Sequence, residues 1–154
     1  MTVLQPLAPV FTYGTLAQGQ KLHNVMKALS SLYLGEGYIV PTTYDMIDLM
    51  DFPGLIETTS RNHHVGGELY GVHEENLYLL DGVEGVPFLY VRKEIPVVYW
   101  SSESESEIGV NAWVYLFNRK FNHYTLQKTD QFHLVTWNET SRMQKIWKER
   151  PNYV

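Results

Sequence analysis

Two segments of the sequence carry residue types that can bind and process a small acidic molecule. The first is residues 10–16, where an apolar stretch runs into Tyr13-Gly14-Thr15-Leu16. A glycine in such a turn lets a ligand approach the backbone closely, so its N–H groups can bind an anion. The second is residues 80–87, where Glu84 lies in a glycine-punctuated loop among apolar residues. An anion cradle and one carboxylate in apolar surroundings together predict proton-transfer chemistry on a small acidic substrate.

Composition narrows the class of protein. The 154 residues are 44% hydrophobic, which suits one compact domain over residues 1–154. The formal net charge of −5 argues against a protein that binds the phosphate backbone of nucleic acids, so we expect no nucleic-acid partner. Because the chain contains no cysteine, it has neither a disulfide framework nor a thiol nucleophile.

The sequence also bears on cellular location. Residues 1–6 lack a basic segment followed by an apolar run, and no later apolar stretch approaches the roughly 18 residues needed to cross a bilayer. We therefore expect a cytoplasmic protein with no membrane partner. The oligomeric state is left open.

Hydrophobic periodicity predicts an α+β fold. Helical spacing covers residues 20–33 and ends near Gly35 and Gly37, a short helix covers 74–80, and a capping box at 136–139 opens a helix that ends before Pro151. Strands are predicted at 9–12, 38–40, 44–49, 55–58 and 65–72, and as a hairpin of 93–100 and 110–118 around a polar tip at 101–107. Several short strands with few helices favour a barrel.

The glycines of 65–72 suit a bulge or a close approach of the backbone to a ligand, and the C-terminal tryptophans suit packing on the barrel.

Several short motifs, taken in order, resemble one known family. They are Phe11-Thr12-Tyr13-Gly14-Thr15-Leu16, Gly67-Glu68-Leu69-Tyr70, Leu80-Asp81 through Glu84-Gly85, Tyr90-Val91-Arg92 and Trp113-Val114-Tyr115. This pattern is similar to the gamma-glutamylcyclotransferase-like family, and in particular to its gamma-glutamylamine cyclotransferase branch. The resemblance covers residues 9–118, whereas residues 119–154 are expected to form a divergent C-terminal extension with a helix.

The resemblance implies a fold and an activity. The fold is a small mixed β-barrel with helices packed on the outside and a site at the barrel mouth. The activity is a lyase- or acyltransferase-type cyclotransfer, in which the α-amine of a γ-glutamyl group attacks its own side-chain carbonyl. The products are 5-oxoproline and a free amine, and the reaction is metal-independent and needs no cofactor.

The resemblance also implies roles for individual residues. Glu84 is the general base and then the general acid. The substrate-binding residues are Gly14, Thr15 and Leu16, whose amides hold the α-carboxylate, and Tyr13, Tyr90 and Tyr115, which shape the pocket. The implied partner is a small-molecule γ-glutamyl substrate, either free or carried on a larger partner. We therefore expect the turn at 13–16 and Glu84 to share one pocket.

Two functions of other classes stay open beside this one. The first is a non-catalytic module that uses the same barrel pocket to bind a small ligand. The second is a barrel that stacks single-stranded nucleic acid on its aromatic residues, which the negative charge disfavours. A glycosidase pair is disfavoured because Asp81 and Glu84, three residues apart, rarely face a sugar from opposite sides.

Other polar residues are interpreted as structural. His63 and His64 are adjacent, so their side chains point apart, and we expect a solvated loop rather than a metal site. Asp81 is expected to cap neighbouring backbone groups near a helix end. Arg92 is expected to form a structural ion pair and is kept outside the catalytic set, and its contact with the ligand is left open.

Overall fold

A computed structural model of the chain describes residues 6–13, 23–48, 53–57, 64–118 and 133–134. Five strands form a closed barrel in the order β1-β5-β2-β6-β7. Their bounds are β1 Leu7–Thr12, β2 Leu32–Ile39, β5 Gly66–His73, β6 Tyr90–Ser101 and β7 Ser106–Phe117. A smaller sheet has the order β4-β3-β8, with β3 Tyr44–Asp48, β4 Pro53–Glu57 and β8 His133–Leu134.

The barrel is mixed because one of its pairings is parallel. β1 runs antiparallel to β5 and closes the barrel through a parallel pairing of Val10 with Trp113 in β7. The longest pairing is the β6–β7 hairpin, from Tyr90 opposite Phe117 to Ser101 opposite Ser106. Both strands are rich in β-branched and aromatic residues, which favour a pleated surface. The predicted hairpin is therefore confirmed, with strands that extend closer to the tip than expected.

Two helices pack beside the barrel. They are α1 His23–Ala28 and α2 Leu77–Val83, and a single 3₁₀ turn, Glu74–Asn76, leads into α2. The helix predicted at 74–80 is thus confirmed, and it continues three residues further, to Val83. No helix among the described residues is long and apolar enough to cross a membrane.

The buried side chains form two apolar clusters. One contains side chains of all five barrel strands and of β3 and β4, including Phe11, Leu69 and Val114. The other joins the two helices to the barrel, since Met26 of α1 and Leu80 of α2 pack with residues of β1, β5, β6 and β7. Strand residues alternate between the clusters because successive side chains point to opposite faces. A small α+β barrel with helices packed against it is thereby confirmed.

The prediction for residues 20–33 was wrong at its C-terminal end. α1 ends at Ala28, and Leu32 begins β2, which runs through Gly35 and Gly37 instead of starting at residue 38. Leu32 and Tyr33 are exposed residues paired with Gly71 and Tyr70 of β5. Their apolar spacing indicated a helix face, but the barrel requires a long strand between β5 and β6. The helix predicted after residue 136 lies outside the described residues.

Gly67 in β5 accommodates a neighbouring strand, and the predicted bulge in this strand was wrong, while the predicted approach to a ligand stays a prediction. A Cβ on Gly67 would lie 2.1 Å from the backbone oxygen of Thr12 and 2.7 Å from a ring carbon of Phe11. The bulge is instead in β2, between Tyr33 and Gly35. Gly67 therefore allows β1 to approach β5 closely at the end of β1 that leads to Tyr13.

We predict that Gly67→Ala destabilises the protein by about 1–3 kcal/mol, because the added methyl would overlap the β1 backbone. Gly109→Ala is the matched control, since a Cβ there meets no heavy atom within 4 Å. It should change the free energy of unfolding by no more than about 0.5 kcal/mol. Urea unfolding of both variants measures the difference, and equal effects would contradict the close approach of β1 and β5.

Candidate active site

The spacing of residues along α2 directs Glu84 toward the barrel. Leu77 and Leu80 are the buried residues of α2, and Glu84 ends the helix four residues after Leu80. Residues four apart share one face of a helix. Glu84 therefore lies on the face that packs against the barrel, and only 7% of it is exposed.

Backbone hydrogen bonds fix the loop that carries Glu84. The Glu84 N–H donates to the Leu80 carbonyl at 2.9 Å, and the Val86 N–H donates to the Asp81 carbonyl at 2.9 Å. Gly85 has φ +66°, the left-handed conformation in which a helix commonly ends with glycine. The glycine after Glu84 is thus required by the backbone turn that ends α2.

Burial changes the proton affinity of Glu84. The loss of hydration disfavours the ionised carboxylate and raises the pKa of Glu84 from its ordinary value of 4.5 to about 7. Near neutral pH the carboxyl is then present in both protonation states. A group of that kind can accept a proton and return it in the same reaction.

Three tyrosines predicted as substrate-binding lie near enough to Glu84 for its charge to act on them. They are Tyr13 at the end of β1, Tyr90 at the start of β6 and Tyr115 in β7, and all three are buried. Burial is the largest cause of the rise in the pKa of each, and the charge of Glu84 raises each pKa further. These phenols therefore stay protonated at neutral pH and leave Glu84 as the group among them that exchanges a proton.

Tyr13 is held by the neighbouring strands. Its hydroxyl donates to the backbone carbonyl of Tyr115, and the backbone N–H of Leu55 in β4 bonds to the Tyr13 oxygen. The anion cradle predicted at Gly14, Thr15 and Leu16 follows directly but lies outside the described residues. The structure thus brings Tyr13, Tyr90, Tyr115 and Glu84 together, and their contact with substrate stays a prediction.

An ion-pair cluster lies beside Glu84, and the sequence predicted only the part that Arg92 plays in it. Arg92 donates through Nε and Nη2 to the two carboxylate oxygens of Asp81, at 2.9 and 3.1 Å, and the Tyr115 hydroxyl donates to Asp81 Oδ1 at 2.8 Å. Arg92 is thus the structural ion-pair partner that was predicted. The side chain of Asp81, expected to cap backbone groups, binds these two side chains. No local sequence signal links residues 81, 92 and 115.

A second buried carboxyl lies in β5. Glu68 is completely buried, and the Tyr70 hydroxyl donates to its Oε1 at 3.1 Å. The two residues are separated by one position along the strand, so their side chains share a face. The Gly67-Glu68-Leu69-Tyr70 motif therefore combines a close strand contact with an internal hydrogen bond.

The prediction of a solvated loop at the two histidines was wrong for His64. His64 is buried, its Nδ1 lies 2.8 Å from the Ile39 carbonyl oxygen, and its ring packs edge-on against Tyr38. The hydrogen bond to β2 satisfies the imidazole and permits its burial. His63 lies outside the described residues, and within the described part of the chain no three histidine or acidic side chains cluster as metal ligands.

Comparison with known proteins agrees with this fold. A sequence model of the family described as gamma-glutamyl cyclotransferase, AIG2-like, matches residues 10–139. The gamma-glutamylaminecyclotransferase of Rattus norvegicus is 33% identical over 115 residues, which cover 71% of this chain and 77% of that protein. The protein of the same name from Mus musculus is 32% identical over 115 residues, with the same coverage.

A solved structure places the chain in the same class. The crystal structure of an AIG2-like protein from Mus musculus has a TM-score of 0.62 and 30% sequence identity, and it covers 72% of this chain and 77% of that chain. The fold is therefore that of the AIG2-like barrel proteins. The chain belongs to the gamma-glutamyl cyclotransferase, AIG2-like family, which confirms the resemblance found in its motifs. The division of the chain at residue 118 stays a prediction.

We predict that Glu84 makes stability depend on pH. Its pKa is higher in the folded protein than in the unfolded chain, so its contribution is fully present below about pH 4.5 and is lost as the pH rises through about 7. Relative to Glu84→Gln, the free energy of unfolding of the wild type should fall by about 3 kcal/mol between pH 4 and pH 8. Urea unfolding of both proteins across this range measures the difference, and a difference independent of pH would contradict the buried position.

We also predict opposite effects for two glycines near Glu84. Gly85→Ala forces an alanine into the left-handed region and should cost about 1–2 kcal/mol. Gly82→Ala, in α2, meets open space and should stabilise the helix by about 0.5–1 kcal/mol. Thermal unfolding tests both variants, and a stabilising Gly85→Ala would show that the turn after Glu84 does not need glycine.

Proposed function

We propose that this protein is a cyclotransferase that converts a γ-glutamyl amine or amide to 5-oxoproline and releases the free amine. Glu84 is the general base and then the general acid of the reaction. The observation that carries this proposal is the buried Glu84 carboxyl, with a pKa of about 7, near Tyr13, the residue that precedes the anion cradle predicted from the sequence.

The chemistry needs proton transfer and a folded substrate. Glu84 takes a proton from the α-ammonium, and the freed amine attacks the γ-carbonyl carbon to form the ring C–N bond. The same carboxyl then gives this proton to the leaving nitrogen as the original amide C–N bond breaks. The ring nitrogen gives up its second proton to Glu84, which passes it to the released amine, so that the amine leaves as its ammonium ion and Glu84 is again ionised. Because nucleophile and electrophile belong to one molecule, the protein contributes mainly orientation and proton transfer.

The hydrogen bonds of the tyrosines suit this substrate. The Tyr115 hydroxyl donates its one hydrogen bond to Asp81, so its oxygen can only accept a hydrogen bond from a ligand. An α-ammonium or amide N–H is a donor and complements that oxygen. The amides of Gly14, Thr15 and Leu16 are proposed to bind the α-carboxylate, and Tyr90 to line the pocket.

The relatives support the choice of substrate class. The relatives from Rattus norvegicus and Mus musculus are both named gamma-glutamylaminecyclotransferases, and they are 33% and 32% identical over 71% of this chain. We therefore propose a γ-glutamyl amine as the substrate, either free or carried on a larger partner, in a cytoplasmic protein that needs neither metal nor cofactor.

We predict that Glu84→Gln lowers 5-oxoproline release by about two to four orders of magnitude at saturating substrate. The amide keeps the shape and volume of the carboxyl but cannot accept the proton. Thr15→Ala should have a milder effect, because the backbone N–H survives the substitution. The assay measures 5-oxoproline and free amine from a γ-glutamyl alkylamide, with thermal unfolding as a control for folding.

A blocked substrate separates cyclisation from hydrolysis. The N-acetylated γ-glutamyl alkylamide has no free α-amine and should release no amine, whereas a hydrolase would still cleave it. A fully active Glu84→Gln enzyme would contradict the role of Glu84. A wild-type protein that binds the substrate without releasing 5-oxoproline would instead indicate the non-catalytic binding module.

A further inference from the structure

The Asp81 carboxylate joins α2 to two strands of the barrel. It accepts hydrogen bonds from Nε and Nη2 of Arg92 in β6 and from the hydroxyl of Tyr115 in β7. Arg92 and Tyr115 are directly opposite each other in the β6–β7 hairpin, so their side chains are neighbours and both can bind Asp81 of α2. The Arg92 guanidinium also lies 4.2 Å from the centre of the Trp113 ring, which orients it further. We call these contacts the Asp81 clamp.

The clamp lies one helical turn before Glu84. Asp81 precedes Glu84 by three residues, and its backbone carbonyl accepts the Val86 N–H from the other side of Glu84. Movement of Asp81 would therefore move the whole segment that contains Glu84. Tyr115 extends the connection, because its carbonyl accepts the Tyr13 hydroxyl where the predicted anion cradle begins.

An opposing force makes such a clamp necessary. An ionised Glu84 gains hydration if the end of α2 rotates or frays toward water. Because α2 has only seven residues, its own hydrogen bonds provide little resistance to this fraying. Its side chains Tyr78, Leu79 and Val83 are exposed and add little packing against the barrel. Two charge-assisted bonds and a third from Tyr115 hold it in place.

We propose that Asp81 is a positioning residue, which through Arg92 and Tyr115 holds the last turn of α2 against β6 and β7 and so keeps the Glu84 carboxyl in its buried pocket. This inference rests on the proposed function, since Glu84 is the group whose position matters for catalysis. Asp81 itself touches neither the substrate nor the reacting atoms.

The test has two readouts, one of which does not require activity. The first is the titration of the Glu84 carboxyl followed by carbon NMR, with Glu84→Gln used for assignment. The second is the pH profile of kcat/KM for 5-oxoproline release from a γ-glutamyl alkylamide. The groups that face Glu84 are Tyr13 of β1, Tyr90 of β6 and Tyr115 of β7, which all stay protonated through this pH range.

Asp81→Asn is expected to lower kcat about 10- to 100-fold, with a smaller change in KM. Water would reach the loosened Glu84, so both the NMR titration and the acidic limb of the pH profile should move to lower pH by roughly one unit or more. Arg92→Lys keeps the charge and should retain much of the wild-type behaviour. If Asp81→Asn fails to fold, Arg92→Gln tests the same clamp from the strand side.

Glu57→Gln is the matched control. Glu57 forms an ion pair of the same length, 2.9 Å, with Lys93, the residue after Arg92 in β6, but both partners are about half exposed. This variant should leave the pH profile and the Glu84 titration unchanged. The same shift in Glu57→Gln would mean that loss of any ion pair at β6 produces it, and would overturn the proposal.

The outcomes separate this proposal from the proposed function. A folded Asp81→Asn whose Glu84 titration is unchanged overturns the clamp, whatever the activity. A wild type that releases no 5-oxoproline overturns the proposed function, while a shifted Glu84 titration in Asp81→Asn would still support the positioning of Glu84 by the clamp.

Discussion

The long hairpin of β6 and β7 sets Arg92 directly opposite Tyr115, and most of the site follows from that pairing. The same register places Tyr90 opposite Phe117 and presents the Tyr115 carbonyl to the Tyr13 hydroxyl. A slip by one residue would turn these side chains to the other face of the barrel. Burial on both faces prevents such a slip, because β7 supplies Tyr115 and Phe117 to one apolar cluster and Val114 and Leu116 to the other.

The sequence predicted the strands better than the boundary between α1 and β2. Alternating and β-branched residues identified β3, β4, β5 and the hairpin to within a few residues. The apolar residues at helical spacing continue to Tyr33, yet α1 ends at Ala28 and β2 begins at Leu32. In β2, Gly37 pairs with both Gly67 and Tyr99. A Cβ on Gly37 would lie 2.1 Å from the Val98 oxygen. Such a contact depends on residues far away in the chain, so local periodicity cannot reveal it.

In the site, too, some features depend on residues close together in the sequence and others on residues far apart. The spacing of Leu77, Leu80 and Glu84 is local information, but the predicted helix ended at residue 80 and left Glu84 in a loop, whereas α2 continues to Val83. The hydrogen bonds of Asp81 with Arg92 and Tyr115 depend on how α2 packs against the β6–β7 hairpin. No short segment of the sequence predicts that packing. The family resemblance of the Leu80–Gly85 segment named Glu84, but its neighbours acquire their bonding partners only in the folded chain.

Burial of Glu84 opposes stability at the pH where it serves the proposed reaction. Above about pH 7 the folded protein must hold a carboxylate that would be better hydrated in the unfolded chain. The Asp81 carboxylate instead accepts three hydrogen bonds, two from Arg92 and one from Tyr115. Two carboxylates three residues apart thus have opposite environments, one bound to a guanidinium and a phenol and the other enclosed by apolar and aromatic groups. The first fixes the helix to the barrel, and that attachment opposes the movement by which the second would regain its hydration.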